Sequence, residues 1–366
     1  MRILLILILL TNLSIAQDGV QNPLSFQLKS KNGFLAAHRG TMSHLPKDRV
    51  SAVELSLSKR LNGSGNWHQA YKNPIVGATL YFSNLGNKEI LGYGFGAYGF
   101  IEFPMSRNKK LFLTGHLGAG LGGVTKVFDQ ETNPKNVAMS SHLNALLSLG
   151  INSRWNLSPK HGLVLGVDMT HFSNGASKVP NLGLNILNLS LGYAYTFKYQ
   201  QAGYVEPIHI EKTPFFRNWK YTAIGIISSK EIFPTTGKNY PVYALSNVLY
   251  KRFRPKVGME VALDLIYKKA LFGYRDYIPK TEWTIFQVGA YVGYYLPLNR
   301  FGFVLGMGRY LKDRYDADDE FYHRVGMRYR FDNGLLLNLV LKSHWAKADY
   351  VEWGVGYTFN YSKQKK

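Results

Sequence analysis

The segment Leu163–Ser173, LVLGVDMTHFS, alternates between two kinds of side chain. Large apolar residues occupy its odd positions, whereas small or polar residues such as Gly166 and Asp168 stand at even ones. Successive side chains of a strand point to opposite faces, so the pattern predicts a strand with one apolar face. His171 and Ser173 lie at the end of that apolar face. Their position is unusual for a water-soluble hydrolase and indicates a site that meets a lipid.

A strand that is apolar outside and small or polar inside is typical of transmembrane β-barrels. The segment Leu143–Ile151 repeats the pattern, with apolar residues at odd positions and Asn144 and Ser148 between them. A soluble β-sandwich shows the same alternation with its polar face in water, so the pattern alone leaves both folds open. The export signal predicted at the start of the chain favours the transmembrane barrel over the soluble sandwich.

The first sixteen residues predict an export signal. Arg2 precedes the apolar run Ile3–Leu10, and Ala16 ends a small-residue cleavage motif before Gln17. No other stretch approaches the roughly 18 consecutive apolar residues of a membrane helix. If the exported chain enters a membrane, we therefore expect it to do so as strands.

Composition excludes several classes of function. The chain has no cysteine, which rules out disulfides, a thiol nucleophile and thiolate metal sites. Its 25 Tyr, 21 Phe and 36 Gly suit aromatic girdles and curved strands. The formal charge of +21 could indicate nucleic-acid binding, but for an exported chain we expect basic loops to meet anionic lipid phosphates. We expect no nucleic-acid partner, no metal and no cofactor.

The chain divides into two similar halves. The terminal strands LGYAYTF (Leu191–Phe197) and GVGYTF (Gly354–Phe359) match, and a linker-like stretch at 201–216 separates the halves. We expect a signal peptide at 1–16, a barrel at 17–200, the linker at 201–216 and a second barrel repeat at 217–366. Sixteen strands are predicted, near residues 25–38, 50–59, 75–83, 89–104, 110–121, 138–155, 160–173, 183–199, 217–229, 240–252, 255–269, 282–297, 300–311, 320–332, 334–345 and 349–361.

Two all-β architectures fit this pattern. One is a pair of tandem eight-stranded antiparallel transmembrane barrels, and the alternative is one fused barrel of about sixteen strands. Inward positions carry His, Asn, Arg and Tyr, which fill a small barrel. The sequence therefore favours the tandem form.

A turn-rich loop joins the Leu163–Ser173 strand to its return strand. The loop covers residues 174–183, and Asn185 begins the apolar face of the strand that follows. Pairing the two strands as a hairpin brings His171, Ser173 and Asn185 to one outward side, so groups suited to acyl transfer converge. If the first strand starts in the periplasm, this seventh strand ends at the outer leaflet, which in Gram-negative bacteria is lipopolysaccharide with ester-linked acyl chains on lipid A.

The same residues resemble a known family. The run His171-Phe172-Ser173-Asn174, followed by Lys178, Pro180-Asn181 and Gly183, is similar to the signature of the outer-membrane lipid A 3-O-deacylases, the PagL or acyloxyacyl hydrolase family. A looser similarity in strand pattern covers Pro23 to about Tyr199.

The resemblance implies a serine esterase with Ser173 as nucleophile and His171 as base. It places the oxyanion hole at Asn174 and at the loop backbone around Ala176, and Lys178 is expected to meet a lipid phosphate. The expected partner is lipopolysaccharide, through lipid A in the outer leaflet of the cell outer membrane. The acyl ester that is cut and the oligomeric state are not indicated.

One position departs from the family pattern. The third catalytic member of the family is a Glu fourteen residues after the His, where this chain has Asn185. In serine proteases the change from carboxylate to amide costs about 10⁴ in kcat, although Cys-His-Asn triads use an amide in this role. We expect Asn185 to orient His171.

The second half lacks the motif. Its comparable strand, Leu335–Ser343, has His344 on the other parity and Ala346 where a serine is needed. We interpret it as a degenerate repeat, structural or partner-binding.

The alternative for the whole chain is a non-catalytic outer-membrane barrel, a pore or an assembly platform, that retains the motif as a relic.

Overall fold

The computed structural model describes residues 23–63, 65–106, 111–197, 218–235, 237–274, 279, 281–314, 319–345 and 347–359. The predicted signal peptide at 1–16 and linker at 201–216 lie outside these residues. Helices are short, at Gly40–Met42, Asn66–Ala70, Lys269–Gly273 and Glu282–Ile285. None of the helices in the described ranges is long and apolar enough to cross a membrane.

Long antiparallel strands dominate the fold and form two consecutive sets of eight. The first set is β1 Leu24–Leu35, β2 Val50–Arg60, β3 Ile75–Ser83, β4 Gly94–Pro104, β5 Leu111–Val124, β6 Leu143–Asn156, β7 His161–Ser173 and β8 Leu184–Phe197. The second set is β9 Lys220–Glu231, β10 Asn239–Arg254, β11 Val257–Lys268, β12 Phe286–Leu298, β13 Phe301–Lys312, β14 Phe321–Arg330, β15 Leu335–His344 and β16 Lys347–Thr358.

Each set closes into its own barrel. Every strand pairs with its neighbour in sequence, and β1 completes the first barrel by pairing with β8. In the second barrel, β16 pairs with β9. The tandem prediction is confirmed, and the alternative of one fused barrel of about sixteen strands is wrong.

Two strands of the first barrel begin later than the sequence pattern predicts. β4 starts at Gly94 instead of residue 89, because the preceding residues form a turn in which Leu91 N donates to Asn87 O at 2.8 Å. Gly92 has a φ of +72° in this turn, which L-residues with a side chain rarely adopt. β6 starts at Leu143 instead of residue 138, because the residues before it belong to the loop after β5.

The apolar faces of the strands point outward, as predicted. Val167 on β7 is 61% exposed and Leu189 on β8 is 67% exposed, whereas the adjacent residues Asp168 and Asn188 are buried inside the barrel. A soluble protein would bury these large apolar side chains, whereas a lipid bilayer solvates them. The outward face of β7 and β8 is therefore suited to hydrocarbon.

Ion pairs and hydrogen bonds fill the first barrel. Lys31 Nζ lies 2.6 Å from Glu54 Oε1 and 2.8 Å from Asp168 Oδ1. Elsewhere in the same lumen, Glu102 accepts hydrogen bonds from Asn152 Nδ2 at 2.6 Å and Thr114 Oγ1 at 3.0 Å. Buried charges are tolerated only when they are paired and hydrogen-bonded, so this lumen is a packed polar core.

The second barrel is filled in the same way by a different set of charges. Arg324 contacts Asp264 Oδ2 at 2.7 Å and Glu352 Oε1 at 2.7 Å. Lys268 lies 2.7 Å from Asp349 Oδ1. Both lumina are thus plugged by side chains, as expected for small eight-stranded barrels.

Replacing Lys31 with methionine should destabilise the first barrel strongly. The change leaves Glu54 and Asp168 buried with one cation fewer, and breaking a buried ion pair costs about 3–5 kcal/mol. Urea unfolding of the protein in lipid vesicles measures this loss. Lys47→Met is the matched control, because Lys47 pairs with Glu89 in an exposed position and its loss should leave the free energy of unfolding unchanged. Equal stability of the two variants would contradict the prediction.

Candidate active site

The register of the β7–β8 hairpin places His171 opposite Asn185. The two residues are cross-strand partners on the outward face, and His171 Nδ1 lies 2.5 Å from Asn185 Oδ1. A carbonyl oxygen only accepts, so Nδ1 of His171 carries the hydrogen and Nε2 is left with its lone pair. This is the tautomer that a general base needs.

Gly183, which has no side chain, lies beside that end of the imidazole. A Cβ at Gly183 would lie 3.0 Å from His171 Cε1 and 3.6 Å from Nε2. Gly183 also has a φ of +76°, which disfavours other residues. A side chain here would close the approach to Nε2.

Ser173 is the last residue of β7 and lies two positions after His171 on the same face. Its Oγ accepts hydrogen bonds from Gly175 N at 3.2 Å and Asn181 Nδ2 at 3.0 Å. Among the described residues it makes no hydrogen bond to His171, contrary to the expectation from their spacing. Catalytic hydrogen bonds are often long or poorly aligned without substrate, so the present partners of Ser173 do not exclude it as the nucleophile.

The loop after Ser173 turns through two consecutive left-handed residues. Gly175 has a φ of +64° and Ala176 a φ of +65°. Two positive φ values in succession are typical of a primed β-turn, and Ser177 N closes this turn by donating to Asn174 O at 3.4 Å. Within the described ranges the N–H of Ala176 has no protein acceptor. It is therefore free to donate to a developing oxyanion.

The Asn174 side chain holds the loop together. Its Nδ2 lies within hydrogen-bond distance of Ser141 Oγ at 2.9 Å, Lys178 O at 3.1 Å and Ser140 Oγ at 3.2 Å. Its backbone N donates to Asn181 Oδ1 at 3.2 Å. The Asn174 amide hydrogens therefore already have acceptors, unlike the backbone N–H of Ala176 within the described ranges.

Lys178 lies exposed at the tip of the loop, and the second barrel supports the residues around it. Glu231 Oε2 accepts from Val179 N at 2.9 Å, and Glu231 N donates to Ala176 O at 3.4 Å. Glu231 is buried, although it ends β9 of the other barrel. The second barrel thus fixes the loop that carries the candidate oxyanion donor and leaves the Lys178 ammonium free to meet an anion.

Three residues of this site were not predicted as functional from the sequence. Asn181 is part of the sequence motif, and its position eight residues after Ser173 was the signal that could have identified it. His38 contacts Asn185, and Glu231 contacts the loop. The positions of His38 and Glu231 depend on strand pairing and on contact between the barrels, for which the local sequence has no signal.

The second barrel has no equivalent constellation in its described residues. His344 points inward, is buried, and lies 3.3 Å from Asp349 Oδ2 through its Nε2. Ser343, which the sequence placed on the outward parity, is buried as well, and the register with β16 shifts beside it. Ala346 lies outside the described residues.

Family models match both halves of the chain. The model described as lipid A 3-O-deacylase (PagL) matches residues 51–194, and the model described as acyloxyacyl hydrolase, C-terminal domain, matches residues 218–361. The two matches together span more than half of the chain. No curated protein matches it.

Several solved structures match this chain at low similarity. Neisserial surface protein A is 11% identical with a TM-score of 0.34, and the match covers 49% of this chain and all of that one. The siderophore receptor PirA from Acinetobacter baumannii is 9% identical, with a TM-score of 0.25 and coverage of 92% and 58%. OccAB3 from the same species is 10% identical, with a TM-score of 0.24 and coverage of 93% and 99%. Similarity at this level carries no information about function.

The fold, the motif and the family models agree. Two closed barrels with apolar outer faces locate the protein in the outer membrane. The family's activity is hydrolytic, which places this chain among the hydrolases. The chain belongs to the PagL and acyloxyacyl hydrolase family of outer-membrane lipid A deacylases.

Proposed function

We propose that this protein is a serine esterase that removes ester-linked acyl chains from lipid A. The observation that carries the proposal is the His171–Asn185 hydrogen bond on the outward face of β7 and β8, with Ser173 two residues further along that face. Val167 and Leu189 on the same face are exposed apolar side chains. A substrate with acyl chains in the bilayer would therefore reach the serine from the side.

The chemistry follows from these groups. His171 Nε2 takes the proton of the Ser173 hydroxyl as Oγ attacks the ester carbonyl, and the Ala176 N–H stabilises the oxyanion. The protonated imidazole then gives its proton to the departing alcohol oxygen of the ester, which leaves an acyl group on Ser173. Water, deprotonated by His171, attacks this acyl-enzyme, releases the fatty acid and restores the serine.

The substrate class follows from the surface around the site. The apolar face of β7 and β8 suits acyl chains, and exposed Lys178 suits a phosphate of the glycolipid headgroup. Lipid A combines both features in one molecule. The loop end of β7 would then lie at the outer leaflet, where lipopolysaccharide resides.

A non-catalytic barrel is the competing function. The pairing of charges across both lumina speaks against a pore, because Lys31, Glu54 and Asp168 occupy the path that a solute would take. An assembly platform would need no correctly polarised His171 and no free N–H at Ala176. The geometry therefore supports the esterase better.

Mass spectrometry of lipid A tests the proposal. Cells whose lipid A is fully acylated are transformed with the gene for this protein, and their lipid A is compared with that of cells carrying the empty vector. The proposal predicts loss of one or more ester-linked acyl chains and release of the matching free fatty acid. Unchanged lipid A, with the protein folded in the outer membrane and also inactive on lipid A in detergent, would refute it.

A further inference from the structure

His38 lies next to Asn185, on the side away from His171. The chain leaves β1 at Leu35, and the next residue, Ala36, still donates its N–H to Asn185 O at 2.8 Å. Two residues later, His38 accepts a hydrogen bond at Nδ1 from Asn185 Nδ2 at 3.1 Å. The three side chains His38, Asn185 and His171 thus form a continuous hydrogen-bonded row.

An amide at position 185 raises a problem that a carboxylate does not have. The two oxygens of a carboxylate are equivalent, and either one accepts a hydrogen from imidazole. An amide has one accepting end and one donating end. If the Asn185 side chain turned over, its Nδ2 would donate to His171 Nδ1, and the hydrogen of the neutral ring would move to Nε2. His171 would then have no lone pair directed to Ser173.

We propose that His38 is a positioning residue that keeps the Asn185 amide in the productive orientation. In the Nε2–H form of His38, whose exposed ring can donate that hydrogen to water, Nδ1 accepts the Asn185 amide hydrogen, which turns Oδ1 towards His171 and holds His171 in the Nδ1–H form. His38 thereby compensates for the missing carboxylate. The catalytic consequence rests on the proposed esterase function, whereas the effect on the tautomer of His171 does not.

Nuclear magnetic resonance of ¹⁵N-histidine-labelled protein in micelles tests the tautomer directly. In the wild-type protein, the His171 ring should show a protonated Nδ1 and an unprotonated Nε2. In His38→Leu, which lacks the acceptor, a substantial fraction of His171 should change to the Nε2–H form. His44→Leu is the matched control, because His44 is an exposed histidine that bonds Lys135 O and does not contact the row. An unchanged His171 tautomer in His38→Leu would overturn the proposal.

A double-mutant cycle tests the catalytic consequence. His38→Leu should lower kcat about tenfold with KM unchanged, which is the scale of one lost hydrogen bond. His38→Gln, which retains an acceptor, should recover most of this loss. In the Asn185→Glu background, where orientation no longer matters, His38→Leu should have no effect. An equal loss in both backgrounds would show that His38 is merely structural.

The tautomer measurement and the kinetic double-mutant cycle together distinguish the failure of this inference from the failure of the proposed function. If neither the wild-type protein nor Ser173→Ala releases fatty acid, the esterase proposal fails, and the tautomer measurement still decides the role of His38. If the wild-type protein is active and His38→Leu matches it in both kcat and tautomer, only the role of His38 is refuted.

Discussion

Replacing Ser173 with alanine is expected to reduce kcat/KM for fatty acid release by at least about 10³-fold, because loss of the nucleophile of a triad removes the covalent route. The residual rate would come from the oxyanion donor and from substrate binding. The fold should be unaffected, since Ser173 is half-buried at the end of β7 and its Oγ only accepts two loop hydrogen bonds. Fatty acid release from lipid A in mixed micelles measures the effect.

Ser177→Ala is the matched control for this prediction. Ser177 lies on the same loop and, in the described part of the chain, makes only a backbone hydrogen bond, from its N to Asn174 O at 3.4 Å. The change to alanine preserves that bond, so activity should stay within about twofold of wild type. Wild-type activity in Ser173→Ala, or an equal loss in both variants, would contradict the assignment of the nucleophile.

Replacing Asn185 with glutamate is expected to raise kcat by about ten- to a hundredfold. A carboxylate stabilises the imidazolium that forms when His171 takes the serine proton, whereas an amide provides orientation without charge. The opposite substitution in serine proteases costs about 10⁴, mainly through the wrong tautomer. The gain here should be smaller, because Asn185 already bonds His171 Nδ1 at 2.5 Å and holds the correct tautomer.

Asn185→Gln separates the effect of charge from that of length. Glutamine matches glutamate in size but has no charge, so it should not raise kcat. The rates of the three proteins are compared under one set of micelle conditions, with KM determined for each. A glutamate variant no faster than wild type would show that charge at this position does not limit the reaction.

Most of the fold could be predicted from the sequence because the bilayer imposes a simple pattern. Apolar alternation on β7 and β8 identified the outward face, and polar inward residues such as Asp168 indicated a filled lumen. The late start of β4 was missed, because Gly92 and its neighbours continue the alternation into a turn. The burial of Ser343 was also missed, because it depends on the local pairing with β16, where Asp349 is an extra residue between the partners of Lys342 and Ser343.

The site was only partly predictable. His171 and Asn185 were placed together correctly because a short hairpin fixes which residues lie opposite each other. The present partners of Ser173 were not predicted, since they depend on how the loop folds back to bring Asn181 to the hydroxyl. Contacts from His38 and Glu231 arise from distant segments, and no local pattern encodes them.

The central claim is that Ser173 is an activated nucleophile on the lipid-facing side of the first barrel. A fluorophosphonate reagent, which reacts with the serine of serine esterases, tests it when applied to outer-membrane vesicles containing this protein. Peptide mass spectrometry is expected to find the adduct on Ser173 in the wild-type protein and to find almost none when His171 is replaced by glutamine. An unmodified Ser173, or a Ser173 modified equally in both proteins, would contradict the account.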